Sequence, residues 1–114
     1  MKIVVLDESN IRKSQINDLL QDKGHEVATC SATGEFIELV ETSDPDKILM
    51  DVDAWQHGIA VYTYFDFIKK LESIPIIFYN APENFSNITN RTQIENDKIL
   101  NGPIDIDTIV QEVE

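Results

Sequence analysis

The chain has 114 residues, with 9 Lys plus Arg against 21 Asp plus Glu and a net charge of -12. That length holds one domain with a single core. The charge argues against nucleic acid, whose phosphates need a basic face, and against adhesion to anionic lipid.

One cysteine, Cys30, leaves no internal disulfide and suits a reducing compartment, where it is expected to pack at a strand end. Met1-Lys2 leads into a short apolar run, Ile3 to Leu6, far shorter than a signal core, and no run approaches the ~20 residues that span a bilayer. A cytoplasmic protein is expected. The triplets beginning at Asn84, Asn87 and Asn90 would accept glycans in a secreted chain, and here read as a polar loop or a poor helix.

In chain order, short β-branched runs alternate with segments of helical period. Ile3-Val4-Val5-Leu6 reads as a strand buried on both faces. Ser9 caps a helix through about Asp22, with Ile16, Leu19 and Leu20 facing inward and Gly24 ending it. Glu26 to Cys30 is a second strand, and Phe36, Leu39 and Val40 mark a second helix. Asp44-Pro45-Asp46 turns the chain into a third strand, Lys47 to Asp51. Val61, Phe65, Ile68 and Leu71 place a third helix at about 58–72, closed before Pro75, and Ile76 to Tyr79 is the fourth strand. Ala81 to Glu95 is rich in Asn and Thr and suggests only a short or frayed fourth helix. Lys98 to Leu100 is a brief fifth strand, and Ile106, Ile109, Val110 and Val113 give a last helix capped by Asp105. The order is (βα)5, an α/β fold with a five-stranded, doubly wound parallel sheet. Such sheets bind ligands outside the carboxyl ends of their strands, where strand order reverses.

Two strands end on acids at such a position. If the first and third strands are neighbours, Asp7, Glu8 and Asp51 converge on one rim, and three crowded carboxylates resist ionising together unless a cation lies between them. Magnesium is the expected ion, since it takes hard oxygen ligands and keeps several waters. Solvated strand-end acids are the plainer alternative.

KIVVLDES, GHEVATCSATGEF, PDKILMD and IPIIFYNA, in that order and spacing, resemble the receiver domains of two-component response regulators over essentially the whole chain. The resemblance implies a CheY-like, flavodoxin-like fold and phosphoryl transfer from a histidine kinase or small donor. Carried over, Asp51 would be the phospho-acceptor, and Asp7 and Glu8 would hold Mg2+ with the backbone carbonyl of Asp53. The metal would let one anion attack another.

The chain also departs from that family. A Ser or Thr usually ends strand four, where Asn80 stands; a lysine usually precedes the proline after strand five, where Gly102 precedes Pro103; the aromatic of strand five is Ile99. Lys98 lies too far upstream to replace the lysine. The loop after Asp51 carries Trp55, expected near the site or packed on a helix, and His57, expected to be solvated. His25 is a turn residue. The resemblance therefore implies a degenerate, pseudo-receiver domain spanning 1–114, free-standing or the N-terminal part of a longer regulator. It would accept no nucleic acid and touch no membrane. It would meet a histidine kinase or effector, or a second copy of itself, through the fourth helix, fifth strand and last helix. A phosphorylation-competent receiver is the alternative. Asp51-Val52-Asp53-Ala54 also resembles the DxDx opening of haloacid dehalogenase phosphatases, with Asp51 as nucleophile and Asp53 as acid/base. An ion-free interaction domain is a third reading.

Overall fold

The apolar run after Lys2 forms β1 (Lys2–Leu6), an interior strand of a sheet in the order β2-β1-β3-β4-β5, all strands parallel. The other strands are β2 (Glu26–Cys30), β3 (Lys47–Asp51), β4 (Ile76–Ala81) and β5 (Lys98–Asn101). The computed structural model describes residues 1–53, 73–81 and 97–113. The helix expected at 58–72, Trp55, His57 and nearly all of the polar stretch from Ala81 to Glu95 lie outside the described residues. Among the described residues no helix is long and apolar enough to cross a membrane.

Alternation along the strands divides the core into two layers, as a period of two requires. Val4, Leu6, Ile48, Met50, Ile76 and Phe78 pack with Phe36 and Val40 of helix α2 (Thr33–Ser43) on one face. Ile3, Val5, Leu49, Ile77 and Tyr79 pack on the other. There they meet Ile16 and Leu20 of α1 (Asn10–Asp22) and Ile109, Val110 and Val113 of α3 (Ile106–Val113). Each central strand is thus covered on both faces, which is why these runs are apolar throughout rather than alternating.

The caps follow the sequence. The Ser9 hydroxyl accepts from the Arg12 amide at 3.2 Å, opening α1 immediately after β1. Gly24, at φ 90°, closes that helix in a left-handed conformation that costs glycine nothing. The Asp105 carboxylate accepts from the Thr108 amide and hydroxyl at 2.8 Å each, which holds its carboxyl below the usual range. At the other end of α3, Lys47 Nζ donates to the Val113 carbonyl at 2.7 Å and Lys98 Nζ to the Glu112 carbonyl at 2.9 Å. Two strands thus supply donors for carbonyls that have no partner within the helix.

Cys30 packs at the end of β2, as expected. It is buried, its thiol donates to the Val5 carbonyl at 3.4 Å, and burial pushes its pKa up to about 12.

Candidate functional site

At the carboxyl edge of the sheet, β1 and β3 run side by side, with Leu6 opposite Met50. Asp7 and Asp51 therefore emerge next to each other, both buried, at 0% and 3% exposure. The Asp7 amide donates to the Cys30 carbonyl at 3.1 Å, extending the β1–β2 pairing by one step and fixing where the side chain leaves.

The cation between these acids is Arg12. Its Nε donates to Asp7 Oδ2 at 2.5 Å, and its Nη2 donates to Asp7 Oδ1 at 2.8 Å and to Asp51 Oδ2 at 3.3 Å. A planar guanidinium matches a carboxylate through two parallel N–H groups, and here the fork also reaches a second acid. Asp7 Oδ1 further accepts from the Ser9 amide at 2.8 Å, and Oδ2 from the Tyr79 hydroxyl at 2.6 Å. The guanidinium carbon lies 5.8 Å from the centre of the Tyr79 ring, within cation–π range.

The electrostatics follow from burial. Asp51 is pushed up to about 6, first by loss of solvent and then by the charge of Asp7, against the pull of Arg12 and a hydrogen bond from the Asp53 backbone. Burial, and next Asp7, raise the Tyr79 hydroxyl, so it stays a donor. The Asp7 hydrogen bond leads in raising Arg12 further above its already basic range.

Of the acids singled out from sequence, the fold brings Asp7 and Asp51 together. Glu8 and Asp53 are exposed, and among the described residues no group of three His, Cys, Asp or Glu side chains is placed to hold a metal ion. Consecutive residues leaving a strand point to opposite sides. With Asp7 turned inward, Glu8 faces solvent.

Of the three remaining positions, Asn80 lies in β4, Ile99 within β5 and Gly102 just past β5. Ile99 is half-buried and packs against the α2-side core. β4 runs two residues further than its apolar run suggests, with a register irregularity between Phe78 and Ala81, where Asn80 has φ 57°. Asn tolerates this left-handed conformation better than most residues, and the irregularity has the form of a β-bulge. Gly102 presses against the bulge: its amide donates to the Ala81 carbonyl at 3.0 Å, and a Cβ added to it would lie 2.8 Å from Asn80 Cα. Gly102→Ala should therefore destabilise the domain by about 1–3 kcal/mol, the usual cost of overpacking, read as a lower urea midpoint. Gly102→Lys should not restore a family lysine without moving that backbone. Lys98, excluded above on distance, is paired with Glu112 at 3.0 Å.

Arg12 and Tyr79 were not anticipated from sequence. Arg12 follows Asp7 by five residues, in the first turn of a helix that begins directly after the strand. A cation there can reach back over the strand end. Tyr79 was legible as a strand residue but not as a donor, although alternation places it with Ile77 on the α1 face.

The model of the response regulator receiver domain family matches residues 3–114. No curated protein matches the chain. Among solved structures, a response regulator receiver modulated diguanylate cyclase from Pelobacter carbinolicus is similar at TM-score 0.71 and 17% identity, covering 98% of this chain and 87% of that one. The chemotaxis response regulator CheY4 of Vibrio cholerae is similar at TM-score 0.69 and 21% identity, covering 98% and 94%. The receiver domain of the hybrid histidine kinase CckA gives TM-score 0.64 and 20% identity, covering 99% and 95%. Identities this low carry the fold, which agrees with the strand order found here, and the family match carries the membership. This chain belongs to the response regulator receiver domain family.

Proposed function

We propose that this receiver domain is a degenerate one, a cytoplasmic module of two-component signalling that acts by binding a protein partner rather than by a phosphorylation switch. Receiver domains generally accept phosphoryl groups without being turnover enzymes, and interact with histidine kinases or effector domains. The observation that carries the reading is the junction of Asn80 and Gly102. At the same carboxyl edge of the sheet as the candidate acceptor Asp51 stand an amide where the family has a hydroxyl and a glycine where it has a lysine. The close approach of Gly102 to the Asn80 backbone leaves no room for a longer side chain. Without the lysine, no side chain from the end of β5 supplies positive charge to a phosphoryl group on Asp51. Partner binding would use β5 and α3, with the polar sequence between β4 and β5.

Receiver domains generally bind Mg2+ at an acidic pocket. The donors for it here would be Asp7, Glu8 and Asp51 with the Asp53 carbonyl. As arranged they do not fit a divalent ion, because Asp7 already accepts four hydrogen bonds and Glu8 is exposed.

Acetyl phosphate tests the proposal. Incubated with it and Mg2+, the chain should stay unmodified at Asp51 by mass spectrometry, while the intact chain still captures its partner in the Asp51→Asn form. Stoichiometric labelling of Asp51 would sink the degenerate reading.

A further inference from the structure

We infer that the Arg12 guanidinium and a divalent cation are alternative occupants of one place, so that this receiver carries its own counter-ion and takes up Mg2+ only when Arg12 withdraws. The inference rests on the receiver reading of Asp7 and Asp51.

An ionised carboxylate offers about four lone-pair sites on its two oxygens. At Asp7 all are used: Oδ1 accepts from the Ser9 amide and Arg12 Nη2, and Oδ2 from Arg12 Nε and the Tyr79 hydroxyl. The carboxylate is wholly buried, so a metal reaches it only by replacing one of these donors. The Ser9 amide belongs to the start of α1, and Tyr79 is a core residue fixed in β4. Arg12 is the replaceable one, with a side chain 30% exposed that projects from the first turn of the helix. It is also the donor whose removal opens both acids at once, since the same Nη2 bridges to Asp51.

The competition favours the tethered cation. Arg12 is held beside the acids by its own backbone, an arrangement equivalent to a high local concentration. Magnesium must shed water and find near-octahedral oxygen ligands, and Glu8 is turned to solvent. Among the described lysines, Lys13 donates to Ser31, while Lys47 and Lys98 begin their strands at the opposite edge of the sheet and donate to the end of α3.

Magnesium chloride titrated into the full chain at constant ionic strength, followed by calorimetry, tests this against Arg12→Met and Arg12→Lys. Arg12→Met should bind Mg2+ at least ~10-fold more tightly than the parent, and the gain should vanish when Asp7→Asn is added. Arg12→Lys keeps the charge but not the fork, and should fall between them. In the parent alone, the Nε–H resonance of Arg12 should shift as Mg2+ saturates, whether or not either variant folds. Equal affinity in parent and Arg12→Met, no binding by Arg12→Met, or an unmoved Arg12 resonance at saturation would each overturn the inference. These outcomes are separate from the acetyl phosphate result. Equal Mg2+ affinities with unlabelled Asp51 remove only the role of Arg12, whereas labelled Asp51 removes the degenerate reading whatever Mg2+ does.

Discussion

In buffer free of divalent ions, Arg12→Met is expected to destabilise the domain by about 3–5 kcal/mol, the cost of leaving a buried charge without its partner. That is a large share of the 5–15 kcal/mol typical of a whole domain. The cause is the burial of Asp7, at 0% exposure, with two of its four donors coming from one guanidinium. Tyr79 and the Ser9 amide would remain, so the carboxylate would keep half its hydrogen bonds and lose its only directly bonded cation among the described residues. Asp7→Asn alone should cost less, because Arg12 is partly exposed and can turn to water. In the double variant the buried charge of Asp7 goes together with its partner, and the two losses should fall well short of adding, with a coupling in the 0.5–3 kcal/mol range found for residues in contact. Urea unfolding of the four proteins measures it. Additive losses would mean that the fork is not held as the distances suggest.

Much of this domain is legible in its sequence, and the reason is local. β1, β3 and β4 are apolar runs bounded by Asp or Pro, and α1 and α3 carry apolar stripes with caps that the sequence names: Ser9, Gly24, Asp105. Asp7 and Asp51 were legible because they end such runs. What escaped was decided by side-chain direction across elements distant in sequence. Arg12 looks like any exposed helix arginine, since amphipathic pattern follows the apolar face and says nothing of which polar residue bends back over a neighbouring strand end. Glu8, expected from sequence as a third ligand, is exposed beside the buried Asp7. The extension of β4 through Ala81 includes Asn80 at φ 57°, a backbone state that Asn tolerates but that an apolar pattern does not announce.

Asp51→Asn is expected to stabilise the domain at pH 7, the reverse of the usual outcome of removing a buried polar group. Folding raises the Asp51 carboxyl from 3.8 to about 6, chiefly by burial and next by the charge of Asp7. Between those values the folded chain holds a proton that the unfolded chain has released. Linkage then makes this group's contribution to stability fall as pH rises: it is fully present below about pH 4, declines through the interval, and is lost above about pH 6. A shift of that size has a ceiling of about 3 kcal/mol, at 1.36 kcal/mol per unit. An asparagine at this position stays neutral at every pH, and its carbonyl can accept the Arg12 Nη2 and Asp53 backbone hydrogen bonds. Other carboxylates weaken the fold in acid, so the parent's own curve mixes opposing slopes. The difference between parent and Asp51→Asn isolates one group: near zero around pH 4, rising between pH 4 and 6, and flat at about 2–3 kcal/mol in favour of asparagine by pH 7. Urea midpoints taken across that range measure it. A difference of opposite sign at pH 7 would mean that Arg12 holds Asp51 ionised more strongly than burial and Asp7 oppose it. The pair would then be a stabilising ion pair rather than a tolerated one.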